Sequence, residues 1–158
     1  TLGLAGDVQI SYSNTMAMFA TDDFEVCTRL VEGTYFKYQK MFNELPLHTV
    51  VSRKELLDAM VRAKMCTAEK CPVRFEISGK QLNLSIRDKV TDYHETVDLQ
   101  EEISEALTIG FDARLVLETL KAFDCDNVGI SVNGPKMPMI VESEDSDFKA
   151  IVLPVSIN

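Results

Sequence analysis

Thr49-Val50-Val51-Ser52-Arg53-Lys54-Glu55-Leu56-Leu57-Asp58-Ala59-Met60-Val61 holds a short apolar strand that changes abruptly into a helix. Ser52 is a good N-cap, and Glu55 stands three residues on, where it can return a bond to the cap nitrogen. Leu56, Leu57, Met60, Val61 and Met65 recur at helical spacing and predict the buried face. Pro72 and the polar stretch around it end the helix. Three alternating runs follow, 73–78, 81–86 and 93–99, the first two joined at Gly79-Lys80.

The same order then recurs. Residues 106–111 read as a strand, and Asp112 is an N-cap for a helix running to about Phe123, with Leu115, Val116, Leu120 and Phe123 turned inward. Runs at 128–132, 137–141 and 148–155 predict three more strands, with Asn133-Gly134 as the turn between the first two. From Thr49 onward the chain is therefore strand, helix, three strands, written twice. Such a repeat needs no identity between its copies. It predicts an α+β fold in which two helices lie side by side on antiparallel sheets drawn from both copies.

Upstream, Val8, Ile10 and Tyr12 alternate with polar residues, Met16, Met18 and Phe19 do so more loosely, and residues 24–30 alternate again before Glu32-Gly33. Three short strands without a helix cannot bury both faces, which predicts the remnant of a preceding domain. The start at Thr1 rather than Met points the same way. Residues 34–47 show no clear period and read as a connector.

The chain has 158 residues, 46% apolar and 26% charged, as expected of an ordinary globular protein. No apolar run approaches the roughly 18 residues of a membrane span, and no signal core opens the chain, so a cytoplasmic protein is expected. The net charge of -9 argues against nucleic acid only on average. Acids crowd 92–105 and 142–147, whereas Arg53, Lys54, Arg62 and Lys64 share one helix. A solvated helix face and a phosphate-facing one are both consistent with that pattern.

Nothing in the sequence predicts catalysis. His48 and His94 lie in different contexts, no Ser or Cys occupies a nucleophile elbow, and no phosphate loop exists. The carboxylates at Glu101-Glu102 and Glu144-Asp145 are each expected in a polar loop where they stay solvated. Cys27, Cys66, Cys71 and Cys125 are too scattered for a zinc site and read as reduced thiols, so neither metal nor cofactor is expected. The C-terminal run Ile151-Val152-Leu153-Pro154-Val155-Ser156-Ile157-Asn158 is apolar almost to its end, either as a core strand or as one wall of an apolar groove.

Three stretches resemble the bacterial sliding clamp family, the beta subunit of DNA polymerase III. Arg29-Leu30-Val31-Glu32-Gly33-Thr34-Tyr35-Phe36-Lys37-Tyr38 is similar to its Leu-(Val/Ile)-(Asp/Glu)-Gly-x-(Phe/Tyr)-Pro-x-Tyr connector. Ile109-Gly110-Phe111-Asp112-Ala113-Arg114-Leu115-Val116-Leu117 is similar to its Gly-Phe-Asn-x-x-Tyr-(Val/Leu) helix start, and Val152-Leu153-Pro154-Val155 to its (Val/Met)-Pro-(Met/Val)-Arg ending. Phe36, Asp112, Leu115 and Ser156 depart from the usual Pro, Asn, Tyr and Arg.

The resemblance implies a DNA clamp fold, with residues 1–36 as the end of the middle domain and 37–158 as the C-terminal domain. It implies a non-catalytic processivity factor, a two-subunit ring around duplex DNA, with polymerase and clamp-loader peptides as further partners and no membrane. A stand-alone protein-binding module that never encloses DNA is the alternative. Arg53, Lys54, Arg62, Lys64, Arg114 and Lys121 are then the candidates to face DNA, and Met65 and Cys66 to meet the neighbouring subunit. The peptide pocket would draw on Lys40, Met41, Asp112, Leu115, Pro135, Met137, Ile151, Val152, Leu153, Pro154, Val155 and Ser156.

Overall fold

The computed structural model describes residues 6–66, 71–89 and 91–157. The chain divides into two compact units, Thr1–Lys37 and Tyr38–Asn158. In the first, strands β1 (Gln9–Tyr12), β2 (Met16–Ala20) and β3 (Glu25–Arg29) form an antiparallel sheet in that order. Ser13 shapes the first turn, its hydroxyl accepting from the Met16 amide at 3.1 Å. Ile10 lies opposite Phe19 and Phe19 opposite Val26, so the apolar residues line up across the sheet.

The second unit begins with a short 3-10 helix, Tyr38–Met41, and then β4 (Leu47–Ser52), α1 (Arg53–Cys66), β5 (Val73–Arg87) and β6 (Asp92–Phe111). It continues with α2 (Ala113–Lys121), β7 (Asn127–Val132), β8 (Met139–Ser143) and β9 (Lys149–Val152). The strands make one six-stranded antiparallel sheet in the order β5-β6-β4-β7-β8-β9. The α+β reading, two helices on antiparallel sheet, holds.

Gly79-Lys80 is not the turn expected from the sequence. Gly79 sits inside β5 with φ 58°, and the β5/β6 register shifts on both sides of it. This is a bulge, for which a left-handed glycine serves as well as it does for a turn. The runs 73–78 and 81–86 are thus two halves of one strand, and 93–99 and 106–111 two halves of the next. The second half of β6 leads into α2, so a single strand joins the two copies of the repeat, and Glu101 and Glu102, expected in a loop, are exposed residues within that strand. The chain reverses instead between β5 and β6, where the Asp88 amide donates to the Thr91 carbonyl at 2.9 Å.

Ser52 accepts from the Glu55 amide at 3.4 Å, one half of the expected capping box. The polar stretch 67–70 expected to end α1 lies outside the described residues. Helix α1 buries Leu56, Ala59, Met60 and Ala63, and α2 buries Ala113, Val116, Leu117 and Leu120. Both stripes run i, i+3, i+4, i+7, and the two helices pack on each other. Val61, Met65 and Leu115, expected on the inner faces, are 40%, 83% and 42% exposed. The small residues Ala59, Ala63 and Ala113 are buried and complete the stripes instead.

Phe75 and Phe111 meet edge to face at 5.1 Å on neighbouring strands, at the centre of the core. Helix α2 stops at Lys121, short of Phe123, which is buried against Phe148 with ring centroids 4.7 Å apart.

Candidate functional site

The C-terminal segment leaves the sheet after Val152 and crosses the end of β6. The Val155 amide donates to the Gly110 carbonyl at 2.8 Å, an isolated bridge outside the regular ladder. A side chain at position 110 would bring its Cβ within 2.8 Å of the Val155 carbonyl oxygen and 3.3 Å of the Ile157 side chain. Only glycine permits that approach. Two residues further on, Asp112 caps α2, accepting from the Arg114 amide at 2.8 Å. The tail and the start of α2 are therefore held at one end of β6.

Beside this junction lies an open cleft of about 320 Å³ lined by Pro135, Lys136, Pro154, Val155, Ser156 and Ile157. Of the twelve residues named for a pocket, Pro135, Pro154, Val155 and Ser156 line this cleft. Lys136 and Ile157 join them; Ile157 belongs to the apolar C-terminal run, whereas no sequence signal singled out Lys136. Leu153 and Met137 are 56% and 46% exposed, whereas Val152 is 2% exposed and supports the wall from the core. Ile151 is half-buried on β9. Leu115 stands on the outer face of α2, and Lys40 and Met41 belong to the 3-10 helix, none of them lining the cleft.

The six candidate phosphate ligands divide. The Arg53 guanidinium donates to the Cys125 carbonyl and its amide to the Asp126 carbonyl at 2.9 Å, which fastens the start of α1 to the segment before β7. Arg62 forms a two-pronged ion pair with Glu95 on β6, Nε donating to Oε2 at 3.0 Å and Nη2 to Oε1. Tyr93 donates to the same carboxylate and stands 3.0 Å from the Ala59 carbonyl. The Arg62 pair holds the Glu95 carboxyl below its usual range and raises the guanidinium, while burial raises the Tyr93 phenol. Lys54 pairs with Asp58 at 3.6 Å and Arg114 with Asp112 at 3.3 Å. Lys64 and Lys121 are exposed.

In all, α1 carries four basic and two acidic residues and α2 two and one, in a chain of net charge -9. Met65 is 83% exposed and Cys66 half-buried at the end of α1.

A polar cluster on the sheet was not foreseen. His48 Nδ1 lies 3.0 Å from Ser131 Oγ and 3.7 Å from Glu142 Oε1, and Lys149 holds the other Glu142 oxygen at 2.7 Å. A hydrolytic triad needs hydroxyl and carboxylate on opposite ring nitrogens, and here both approach one. Gly129 makes room for the cluster, since a Cβ there would stand 2.9 Å from His48 Cε1 and 3.0 Å from Glu142 Cγ.

No helix among the described residues is long and apolar enough to cross a membrane, which leaves strand-built spans unaddressed.

Comparison with known proteins bears on the whole arrangement. The chain is 26% identical to the beta sliding clamp of Streptococcus pneumoniae, covering 96% of this chain and 42% of that protein. It is 28% identical to that of Vibrio cholerae, covering 94% and 41%. The chain thus spans about two fifths of the length of these curated relatives.

Among solved structures, it superposes with a TM-score of 0.87 at 21% identity on a sliding clamp from Bartonella birtlesii bound to griselimycin, covering 98% of this chain and 42% of that one. It superposes on the DNA polymerase sliding clamp of Bacillus subtilis with a TM-score of 0.83 at 21% identity, covering 96% and 41%. These two likenesses show the fold, a DNA clamp fold. The family model for the C-terminal domain of the DNA polymerase III beta subunit matches residues 43–156, and the chain belongs to that family.

Proposed function

We infer that this chain supplies the C-terminal part of a ring-shaped processivity factor that encircles duplex DNA in the cytoplasm and tethers polymerase and clamp-loader peptides, without catalysing a reaction. In this reading residues 1–36 end a middle domain and 37–158 form the C-terminal domain. The observation that carries it is the pair of packed helices, basic on balance in an acidic chain, on a continuous sheet. Basic helix faces attract phosphates without reading bases, while acids elsewhere repel DNA, which suits a sliding contact. The exposed Met65 beside Cys66 fits an edge that meets a second subunit, and the cleft at Pro154 and Val155 fits one wall of a peptide pocket.

One observation favours the alternative, a protein-binding module that never encloses DNA. Lys54, Arg62 and Arg114 each face a carboxylate of this chain, so part of the basic charge is already compensated.

A topological experiment separates the two. The corresponding C-terminal part of the Vibrio cholerae clamp is replaced by this chain, and the chimera is loaded on nicked circular DNA. Retention on the circle, with release after linearisation, is the expected result. A chimera that assembles into rings but is not retained on the circle would overturn the ring reading and favour the module.

A further inference from the structure

The paired cations of the two helices are not paired alike. Lys54 and Arg114 each approach one oxygen of an acid close by in sequence, Asp58 at 3.6 Å and Asp112 at 3.3 Å. Arg62 instead reaches from α1 to β6 and engages both oxygens of Glu95, Nε donating to Oε2 at 3.0 Å and Nη2 to Oε1. Two parallel N–H bonds are the geometry in which a guanidinium takes a phosphate as well as a carboxylate.

The acid is held in place from its other side. Tyr93, on the same face of β6, donates to Glu95 Oε2 and stands 3.0 Å from the Ala59 carbonyl of α1. The Glu95 side chain is 23% exposed and that of Arg62 54%. The carboxylate is thus a fixed part of the wall, while the guanidinium stays open to an anion arriving from solvent. Asp58, one turn back along α1, already faces Lys54.

We propose that Glu95 stands in for a DNA phosphate, withholding Arg62 from the duplex and so loosening the grip of α1 on it. The proposal rests on the reading of the helices as the DNA-facing surface and names the residue that moderates that contact. Affinity for a duplex grows with each cation that neutralises a phosphate and releases its counterion. Arg62 paired with Glu95 brings no net charge to that exchange. Taking Arg62 away would leave a half-buried carboxylate without its partner, which opposes the transfer. A looser grip suits a contact that moves along the DNA.

The test measures binding of the chain to a short labelled duplex by fluorescence anisotropy over a series of low salt concentrations. The Arg62 side-chain Nε–H and the amides of α1 and α2 are followed by NMR in the same titrations. Glu95→Gln keeps the shape and an acceptor for Tyr93 but removes the charge. It is expected to bind about two- to fivefold more tightly at the lowest salt, with a slope of log affinity against log salt steeper by about 0.9. Glu55→Gln removes the same charge from an exposed position on α1 and should give a smaller gain and a smaller change of slope. The duplex should leave the Arg62 Nε–H signal in place in the unaltered chain and shift it in Glu95→Gln. An Arg62 signal that already shifts in the unaltered chain would overturn the withholding, as would a Glu95→Gln gain matched by Glu55→Gln with the Arg62 signal unmoved. Either result, with duplex-induced shifts elsewhere on α1 and α2, leaves the DNA-facing reading standing. Absence of salt-dependent binding and of helix shifts in every form would overturn that reading and the role of Glu95 with it.

Discussion

The sheet of β1 to β3 and the sheet of β4 to β9 are written in the same period-two pattern, yet they bury different amounts of it. In the first, Ile10, Tyr12 and Val26 are 60%, 84% and 51% exposed, and Ala17 alone among its described apolar residues is buried. In the second, Val73, Phe75, Leu84, Ile109 and Phe111 are fully buried. The difference is the helix layer. Helix α1 touches β4, β5, β6 and β7, and α2 reaches β9, so alternation becomes a core where a second layer covers it. An apolar face in a sequence states a capacity for burial, and the neighbouring layer determines whether it is used.

The largest expected effect tests that contrast directly. Phe75→Ala removes a buried ring from its contact with Phe111 and should cost about 3–5 kcal/mol in urea unfolding. Tyr12→Ala, at an 84% exposed position, should change stability by less than about 0.5 kcal/mol. Equal losses would break the comparison.

Gly110→Ala comes next, at about 1–3 kcal/mol, because its methyl group meets the Val155 carbonyl oxygen rather than a flexible side chain. Hydrogen exchange sharpens the result, since the Val155 amide should lose protection while the amides of β4 and β7 keep theirs. Asp112→Ala should cost about 1 kcal/mol by removing the cap of α2. Loss of helical circular dichroism confined to a small fraction of the signal would agree with fraying at that end.

The smallest effect is one of pH. Arg62 holds the Glu95 carboxyl below its ordinary value of 4.5, so the unfolded chain takes up this proton first as pH falls. The stabilisation is fully present above 4.5 and is lost as pH falls through the lower, folded-state value. Comparing unfolding midpoints between about pH 6 and pH 3, Glu95→Gln should flatten the acid decline slightly. An unchanged slope would show that the pair contributes nothing to linkage.

Much of this arrangement was legible locally. Ser52 and Asp112 marked helix starts, Asn133-Gly134 marked the β7 to β8 turn, and the repeat of strand, helix and strands predicted the layered fold. What misled was also local. Leucine at 115 and methionine at 65 looked buried because they are strongly apolar, while the buried stripes are completed by Ala59, Ala63 and Ala113. Gly79 carries a bulge where its sequence context equally suited a turn.

The cleft was half legible. Pro135, Pro154, Val155 and Ser156 were named from the resemblance, while only the folded chain sets Lys136 beside them in one cleft. Arg62 looked free until Glu95, 33 residues away, took both of its nitrogens.

By itself the sequence determined the element types, their order along the chain and the starts of both helices, because caps, periodicity and turn residues act over a few positions, but not that β5 and β6 each run on through what read as separate strands. Tertiary structure alone decided which apolar faces are covered, which cations are paired and why position 110 must lack a side chain. Those outcomes depend on partners 33 to 45 residues away, such as Glu95 for Arg62 and Val155 for Gly110, and no local pattern encodes them.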